Sequence, residues 1–106
     1  MYYVRVHADG YGTPALQFEW DDDKRRDGIA KHGVDLVYAA AIFAGGVVTA
    51  VDGRTDYGEV RQVSIGRVDG ECFVVVFTER DDSIRLISAR KGGRRDRRKL
   101  ETGLAG

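Results

Sequence analysis

Side chains that can move protons and bind anions are concentrated in one short basic segment of the chain. His32, one of two histidines, follows a run in which Lys24 and Lys31 fall on the same face of a predicted helix. An imidazole exchanges protons near neutral pH, and a lysine ammonium offers a positive charge to an anionic oxygen. This spacing predicts a surface that joins proton transfer to anion binding. The alternative is that His32 only interacts with the dipole of its own helix.

Arginines recur on or near the later strand-like segments, at Arg61, Arg80, Arg85 and Arg90. A strand arginine is costly to bury unpaired, so its guanidinium must reach solvent, a carboxylate or an anionic ligand. For any one of them an ordinary ion pair is the simpler explanation, for example to Glu59, Glu79 or Asp56. The whole set, taken with His32, favours a phosphate-binding surface.

Charge is unevenly distributed, although 17 basic and 17 acidic residues balance overall. Residues 90–101 carry seven basic side chains and two acidic ones, a local charge of +5, which leaves −5 on the rest of the chain. Such an asymmetry indicates a polyanion or an acidic partner. Three explanations of this tract stay open: an RNA-binding surface, a docking site for a protein partner, or a solvated helix face.

Metal-free RNA cleavage requires few chemical groups, and the chain contains them. The 2′-hydroxyl attacks its own phosphate, so an enzyme supplies a general acid or base and cations for the developing charge. Two histidines 25 residues apart and one cysteine lack zinc-ligand spacing. The aspartates at 21–23 and 81–82 stand at predicted cap and turn positions, and no phosphate-binding loop or nucleophile elbow occurs. We therefore predict no metal and no cofactor.

Length and composition predict one globular domain over residues 1–106. The hydrophobic fraction of 42% supports a single modest core. The chain has no apolar run near the ~18 residues of a membrane span and no leader-like N-terminus. Its one cysteine, Cys72, fits a reducing compartment. We expect a cytoplasmic protein that contacts no membrane, with Cys72 buried and inert.

The first elements that must position these side chains follow from periodicity and caps. Short strands are expected at residues 2–6 and 16–20. A helix is predicted from an Asp21 cap to a stop at Gly33, and a second helix from an Asp35 cap to Gly45.

The second half of the chain has the periodicity of strands. Four strand-like runs cover 47–51, 60–68, 72–78 and 83–90, with FVVVF buried on both faces and an Asp-Gly hairpin turn at 69–70. A basic helix after Gly93 ends the chain. The predicted fold is α+β, with two N-terminal helices packed on one face of a mainly antiparallel sheet and a basic C-terminal helix.

Seven segments, in order, resemble the BrnT-type toxins, which are the ribonucleases of type II toxin–antitoxin pairs. They are FEWDDDK (18–24), KHGV (31–34), IF (42–43), DYGEVR (56–61), IG (65–66), VVVFTER (74–80) and IRLISAR (84–90). The resemblance covers residues 18–101 and leaves residues 1–17 as an extension without an assigned role. It implies a RelE-like fold and a toxin that cleaves RNA without metal and so inhibits translation. It also implies neutralisation by a BrnA-like antitoxin and operator DNA binding through the antitoxin complex, and it allows a homodimer.

The resemblance also places candidate site residues at matching positions. His32 of KHGV is expected to transfer protons, and Glu59 of DYGEVR to orient groups or act as a base. Arg61 and Arg90 are expected to stabilise charge on the phosphate. The RNA backbone is expected to contact four further cations: Lys24, Arg80, Arg94 and Arg95.

Two positions depart from the family pattern. Gly28 stands where asparagine is usual, and Leu100 stands where an aromatic residue usually precedes the glutamate matched by Glu101. A helical glycine costs about 1 kcal/mol relative to alanine and lacks an amide that could bind substrate. The missing aromatic ring at position 100 would weaken base stacking or only alter packing. These departures support an alternative function, a catalytically inactive module that binds antitoxin and operator DNA as a regulator.

Overall fold

The computed structural model describes residues 2–6, 16–56, 58–80 and 83–105, except the side chains of 2–6, 16, 54–56 and 105. The elements in these ranges are β1 Tyr2–Val6, β2 Leu16–Trp20, α1 Asp22–His32, α2 Leu36–Ala39, a 3-10 helix Ala40–Ala44, β3 Val48–Asp56, β4 Glu59–Val68, β5 Glu71–Arg80, β6 Ser83–Lys91 and α3 Arg94–Ala105. The predicted connection at 7–15 and the turn at 81–82 lie outside the described residues. No helix in the described ranges is long and apolar enough to cross a membrane.

One sheet contains the six described strands in the order β1-β2-β6-β5-β4-β3. Strands β3 to β6 form an antiparallel meander, as predicted, and β1 pairs antiparallel with β2. β2 joins the meander through a parallel pairing with β6, from Gln17 opposite Ser83 to Glu19 opposite Arg85. The mainly antiparallel sheet is therefore confirmed, and the segment before the family-like motifs supplies an edge strand, β1.

Asp69 and Gly70 form the turn between β4 and β5. Both have a left-handed backbone, with φ of 51° and 80°, and Val68 pairs with Glu71 across the turn. Two central residues with positive φ give a turn whose twist matches the paired strands, and an Asp-Gly pair is favoured there. The predicted hairpin is confirmed.

β5 lies inside the sheet and carries buried side chains on both faces, because successive side chains of a strand point to opposite sides. The main apolar cluster, on the face covered by α2 and the 3-10 helix, receives three side chains of β5: Phe73, Val75 and Phe77. Val74 points to the opposite face, where it packs in a cluster with Cys72 and the fully buried Leu100 of α3. The predictions of a doubly covered strand and a buried cysteine are confirmed.

The caps of the first two helices lie where the sequence predicts them. α1 begins after Asp21, whose Oδ1 accepts a hydrogen bond from the Asp23 N–H at 2.9 Å. It ends at Gly33, which has the left-handed φ of 68° that favours glycine. Asp35 caps α2 by accepting a hydrogen bond from the Val37 N–H at 2.9 Å. Local side-chain chemistry thus sets both helix starts.

The prediction of two N-terminal helices packed on one sheet face is wrong. α1 buries none of its residues, because its sequence, DDKRRDGIAKH, is charged around the helix and has no apolar stripe. The second predicted helix is one α-helical turn that continues as a 3-10 helix, where the Gly45 N–H bonds to the Ile42 carbonyl at 3.1 Å. The basic C-terminal helix is confirmed as α3, but it covers the opposite face of the sheet through Leu100.

Candidate active site

A cleft of about 240 Å³ lies between α1, the segment that follows it and the middle of β6. α1 contributes five lining residues: Lys24, Asp27, Gly28, Lys31 and His32. The rest of the lining comes from residues 34 and 36 and from residues 87–89, which are apolar except for Ser88. Two lysines, a histidine and a carboxylate therefore surround a small space with an apolar wall.

The cleft exists because β6 loses its parallel neighbour before it ends. The pairing of β2 with β6 stops where Glu19 lies opposite Arg85. The register of β6 with β5 then shifts, so that Ile87 is an extra residue in a β-bulge. α1 starts two residues after Trp20, the last residue of β2, and its cationic residues come to lie along the uncovered part of β6.

A bidentate ion pair holds α1 against the start of α2. Arg25 donates from Nε to Asp35 Oδ1 and from Nη2 to Asp35 Oδ2, each at 2.9 Å. Hydrogen bonding from Arg25 lowers the pKa of Asp35 from its ordinary value, although partial burial acts in the opposite direction. The same carboxylate caps α2, so one side chain fixes both helices. Since α1 has no buried residue, this pair is one of the contacts that fix its position.

Replacing Asp35 with asparagine should weaken the attachment of α1 and preserve the cap of α2, because asparagine caps helices about as well as aspartate. Since the pKa of Asp35 is lowered on folding, its stabilising charge is present above the unfolded-state pKa of about 3.9 and is lost as pH falls through the folded value. We expect the variant to unfold at lower urea concentration than the wild type near pH 7, with a smaller difference near pH 3. A difference that does not change with pH would assign the effect to the cap.

Gly28 lies in the middle of the cleft-facing side of α1, close to the chain that leaves the helix. The Gly33 N–H bonds to the Ile29 carbonyl at 3.0 Å, and the Val34 N–H bonds to the Gly28 carbonyl at 3.4 Å. A Cβ at position 28 would stand 3.2 Å from the Val34 carbonyl oxygen. Glycine therefore permits the close return of the backbone and leaves the cleft open at this point.

Gly28→Ala should stabilise the chain by less than the ~1 kcal/mol that removal of a helical glycine usually gives, because the new methyl group must displace the Val34 carbonyl. Gly103 of α3 is a comparison with less space, since a Cβ there would overlap Val48 Cγ2. Gly103→Ala should destabilise the chain by about 1–3 kcal/mol. Urea unfolding of both variants measures the two free energies. A full ~1 kcal/mol gain at position 28 would show that Val34 moves without resistance.

A network of ion pairs on the sheet contains a second group of predicted site residues. Arg80 donates from Nε to both carboxylate oxygens of Glu59, at 2.9 and 3.0 Å, and from Nη1 to Glu19 Oε1 at 2.8 Å. The hydrogen bond to Glu59 is the main reason that the pKa of Arg80 is raised. Glu19 has a side chain only 6% exposed, so its charge needs this partner. Arg61 is half-buried on β4, two residues from Glu59.

The third group of predicted site residues lies where β6 meets α3. Arg90 donates from Nη1 to Asp96 Oδ2 at 2.8 Å, and the same Asp96 oxygen accepts the Gly93 N–H at 2.9 Å. Hydrogen bonding from Arg90 lowers the pKa of Asp96. Arg94 and Arg95 are exposed in the first turn of α3, and within the described residues neither forms an ion pair.

The structure therefore brings the eight predicted residues together in three groups and not in one. Lys24 and His32 share the cleft, and Glu59 shares an ion pair with Arg80. Arg90 lies opposite Val74 of β5. Val74 precedes Arg80 by six residues on the same strand, so Arg90 and Arg80 are separated by about 20 Å along the strand direction. Among the described residues, no three histidine, cysteine, aspartate or glutamate side chains cluster as metal ligands do.

A family model described as "Ribonuclease toxin, BrnT, of type II toxin-antitoxin system" matches residues 20–96, which is most of the chain and includes all eight predicted site residues. The chain belongs to the BrnT family. The resemblance seen in the sequence is confirmed, and membership gives the activity class, a ribonuclease toxin, and implies an antitoxin partner. No curated protein matches this BrnT-family chain.

The sequence did not single out three polar residues that the BrnT-family chain has in the cleft and in the ion pairs of Arg80: Asp27, Ser88 and Glu19. Asp27 follows Lys24 by three residues and precedes Lys31 by four, a helical spacing that indicates a position beside both lysines. Ser88 and Glu19 had no comparable signal, because the bulge in β6 and the parallel pairing of β2 are tertiary features.

Leu100 of the BrnT-family chain lies just beyond the matched residues and has no exposed surface. It packs on the sheet face that α3 covers, with Ile65 and Val74. A fully buried side chain cannot stack on a nucleobase. Leucine in place of the usual aromatic residue was expected either to weaken base stacking or to alter packing, and the buried position supports altered packing.

Proposed function

We propose that this chain is a metal-independent endoribonuclease toxin that cleaves RNA and so inhibits translation. The observation that carries the proposal is the cleft, in which Lys24, Lys31 and His32 surround one space beside β6. Family membership supplies the class of activity, and the cleft supplies groups that suit it.

In this proposal the two lysines bind the scissile phosphate and His32 transfers a proton. Lysine ammonium groups stabilise the charge that develops on the phosphate oxygens in the transition state, and an imidazole gives and takes protons near neutral pH. All three side chains are exposed and can therefore meet a polymeric substrate. The nucleophile is the 2′-hydroxyl of the RNA, so we expect DNA strands to be resistant.

The predicted residues on the sheet suit supporting roles. Arg80 is shared by two carboxylates, so it offers little uncompensated charge to a polyanion, and we propose that Arg80 and Glu59 shape the sheet. Arg90 is 60% exposed although it pairs with Asp96. We propose that Arg61 and Arg90 contact phosphates outside the cleft.

The first turn of α3 suits binding to a polyanion or an acidic partner. Arg94 and Arg95 are exposed there, beside further basic residues of the tract 90–101. We propose that this tract contacts the RNA backbone and that a BrnA-like antitoxin covers it, with the complex binding operator DNA. Replacement of both arginines should then weaken RNA binding and reduce its dependence on salt, because each phosphate contact releases counterions.

The alternative is an inactive module that regulates through antitoxin and operator DNA, and Gly28 and Leu100 are the two positions that suggest it. Leu100 is a core residue, and Gly28 permits a close backbone approach. The buried position of Leu100 gives a packing reason for that departure, whereas the absence of an amide at Gly28, which lines the cleft, still fits the alternative.

Induced expression without antitoxin tests the proposal. We expect growth arrest with fragmented cellular RNA. The purified chain should cleave single-stranded RNA in the presence of a metal chelator and leave the matching 2′-deoxy strand intact. Normal growth and intact RNA, with a chain that is folded by circular dichroism, would favour the inactive regulator.

A further inference from the structure

The cleft contains a second side chain able to exchange protons, Asp27, to which the proposed function gives no role. Its carboxylate lines the cleft together with His32. The other carboxylates of α1 and its surroundings are engaged: Asp22 and Asp23 pair with Arg26, and Asp35 pairs with Arg25. Asp27 takes part in no ion pair within the described part of the chain. It is therefore the carboxylate of the cleft that remains available to a substrate.

The helix places Asp27 and His32 on opposite sides of the face of α1 that carries Lys24 and Lys31. The two residues are five positions apart, which is roughly 140° around the axis of an α-helix. Around the helix axis, the positions of Lys24, Gly28 and Lys31 lie between those of Asp27 and His32 and span about 60°. A phosphate held by the two lysines over Gly28, which has no side chain, would have the carboxylate on one side and the imidazole on the other.

We propose that Asp27 is the general base of RNA cleavage and that His32 is the general acid, an assignment that rests on the proposed ribonuclease function. In-line attack places the entering and leaving oxygens on opposite sides of the phosphorus, so a base and an acid must flank the phosphate. The flanking arrangement of Asp27 and His32 meets this requirement.

The reaction balances without water, metal or a further reactant. Asp27 takes the proton of the 2′-hydroxyl as the bond from O2′ to phosphorus forms. The bond from phosphorus to O5′ breaks, and His32 gives its proton to O5′. The products are a 2′,3′-cyclic phosphate and a 5′-hydroxyl end, and Lys24 and Lys31 stabilise the phosphate oxygens during the transfer.

Glu59 is the competing base, and its surroundings differ from those of Asp27. Both of its carboxylate oxygens accept a hydrogen bond from Arg80, and it does not line the cleft. The charged groups around Asp27 are Lys24, Lys31 and His32, all from α1. β6 and the segment after α1 add only Ser88 and apolar side chains. Asp27 is thus the carboxylate that shares a space with the imidazole.

A pH series of RNA cleavage distinguishes the two carboxylates. The purified full chain is assayed on a short fluorogenic single-stranded RNA over about pH 4–9, as wild type, Asp27→Asn, Asp27→Glu, Glu59→Gln and Asp23→Asn. We expect a bell-shaped profile for the wild type, because a base must be deprotonated and an acid protonated. Asp27→Asn should lose about 100-fold or more in kcat/KM together with the acidic limb, and Asp27→Glu should restore part of both. Asp23, 86% exposed and paired with Arg26, is the matched control, and Asp23→Asn should keep the wild-type profile.

The outcomes separate this assignment from the proposed function. If Asp27→Asn keeps the wild-type rate and both limbs, Asp27 is not the base, although the chain is still a ribonuclease. If Glu59→Gln loses the acidic limb instead, the base is Glu59 and the assignment is overturned. A folded wild type that leaves RNA intact overturns the proposed function and the assignment with it. Products that end in a 2′,3′-cyclic phosphate, together with loss of the acidic limb in Asp27→Asn alone, support it.

Discussion

Replacing His32 with alanine is expected to lower the rate of RNA cleavage by about 10²–10⁴-fold, the usual contribution of one general acid or base. The imidazole is exposed at the end of α1, so the substitution should change the free energy of unfolding by no more than about 0.5 kcal/mol. Cells that express the variant at the level of the wild type should grow normally. Cleavage of a defined RNA by the purified proteins measures the rate.

His7→Ala is the control for this experiment, because it makes the same chemical change at the other histidine of the chain, which precedes the residues 20–96 matched by the family model. We expect it to cleave RNA and arrest growth as the wild type does. If His32→Ala behaved in the same way, the imidazole would have no part in proton transfer. The interaction with its own helix dipole would then explain why a histidine stands at the end of α1.

Leu100→Ala is expected to reduce the free energy of unfolding by about 2–5 kcal/mol, the range for removal of a fully buried leucine side chain. Leu100 has no exposed surface and packs in the smaller apolar cluster with Ile65 and Val74. Most other positions of α3 are polar or charged, so the helix has little else to hold it on the sheet. Urea unfolding followed by circular dichroism gives the free energy.

Leu104→Ala makes the same chemical change four residues later in the same helix, at a side chain that is 49% exposed. It should cost about 1 kcal/mol or less, because less surface is removed from the core. Equal costs at the two positions would mean that α3 is not anchored through Leu100. A large cost at Leu100 alone would confirm that its departure from the family pattern concerns the core.

Local chemistry in the sequence was sufficient to predict much of the fold. The aspartate caps at Asp21 and Asp35, the stop at Gly33 and the Asp-Gly turn all depend on the conformational preferences of one or two residues. The doubly buried strand was visible because FVVVF has no polar position. These features can be predicted without knowing which distant residues of the sequence pack against them.

Features that depend on distant partners were not visible in the sequence. An ion pair of Arg80 with Glu59 was foreseen as an ordinary alternative, but its second partner, Glu19, lies 61 residues away in the chain. That contact exists because β2 pairs with β6. The alternation of apolar and polar residues predicts a strand but does not indicate its neighbours in the sheet. The face that α3 covers is a feature of the same kind, since the order of elements does not state on which side of the sheet a helix packs. The exposure of α1 is different, because the lack of an apolar stripe is visible in its own sequence.

The parallel pairing of β2 with β6 has a consequence for the order in which the molecule assembles. Gln17 and Ser83 are 66 residues apart in sequence, so their pairing closes a long loop at a large entropic cost, whereas strands β3 to β6 follow one another as neighbours. The meander can form first from its hairpins, and β2 can dock only when β6 is present. α1 follows β2 directly and buries nothing of its own. The cleft is therefore expected to be completed late in folding and to open early in unfolding, so that a chain with a formed sheet can still lack the proposed site of proton transfer.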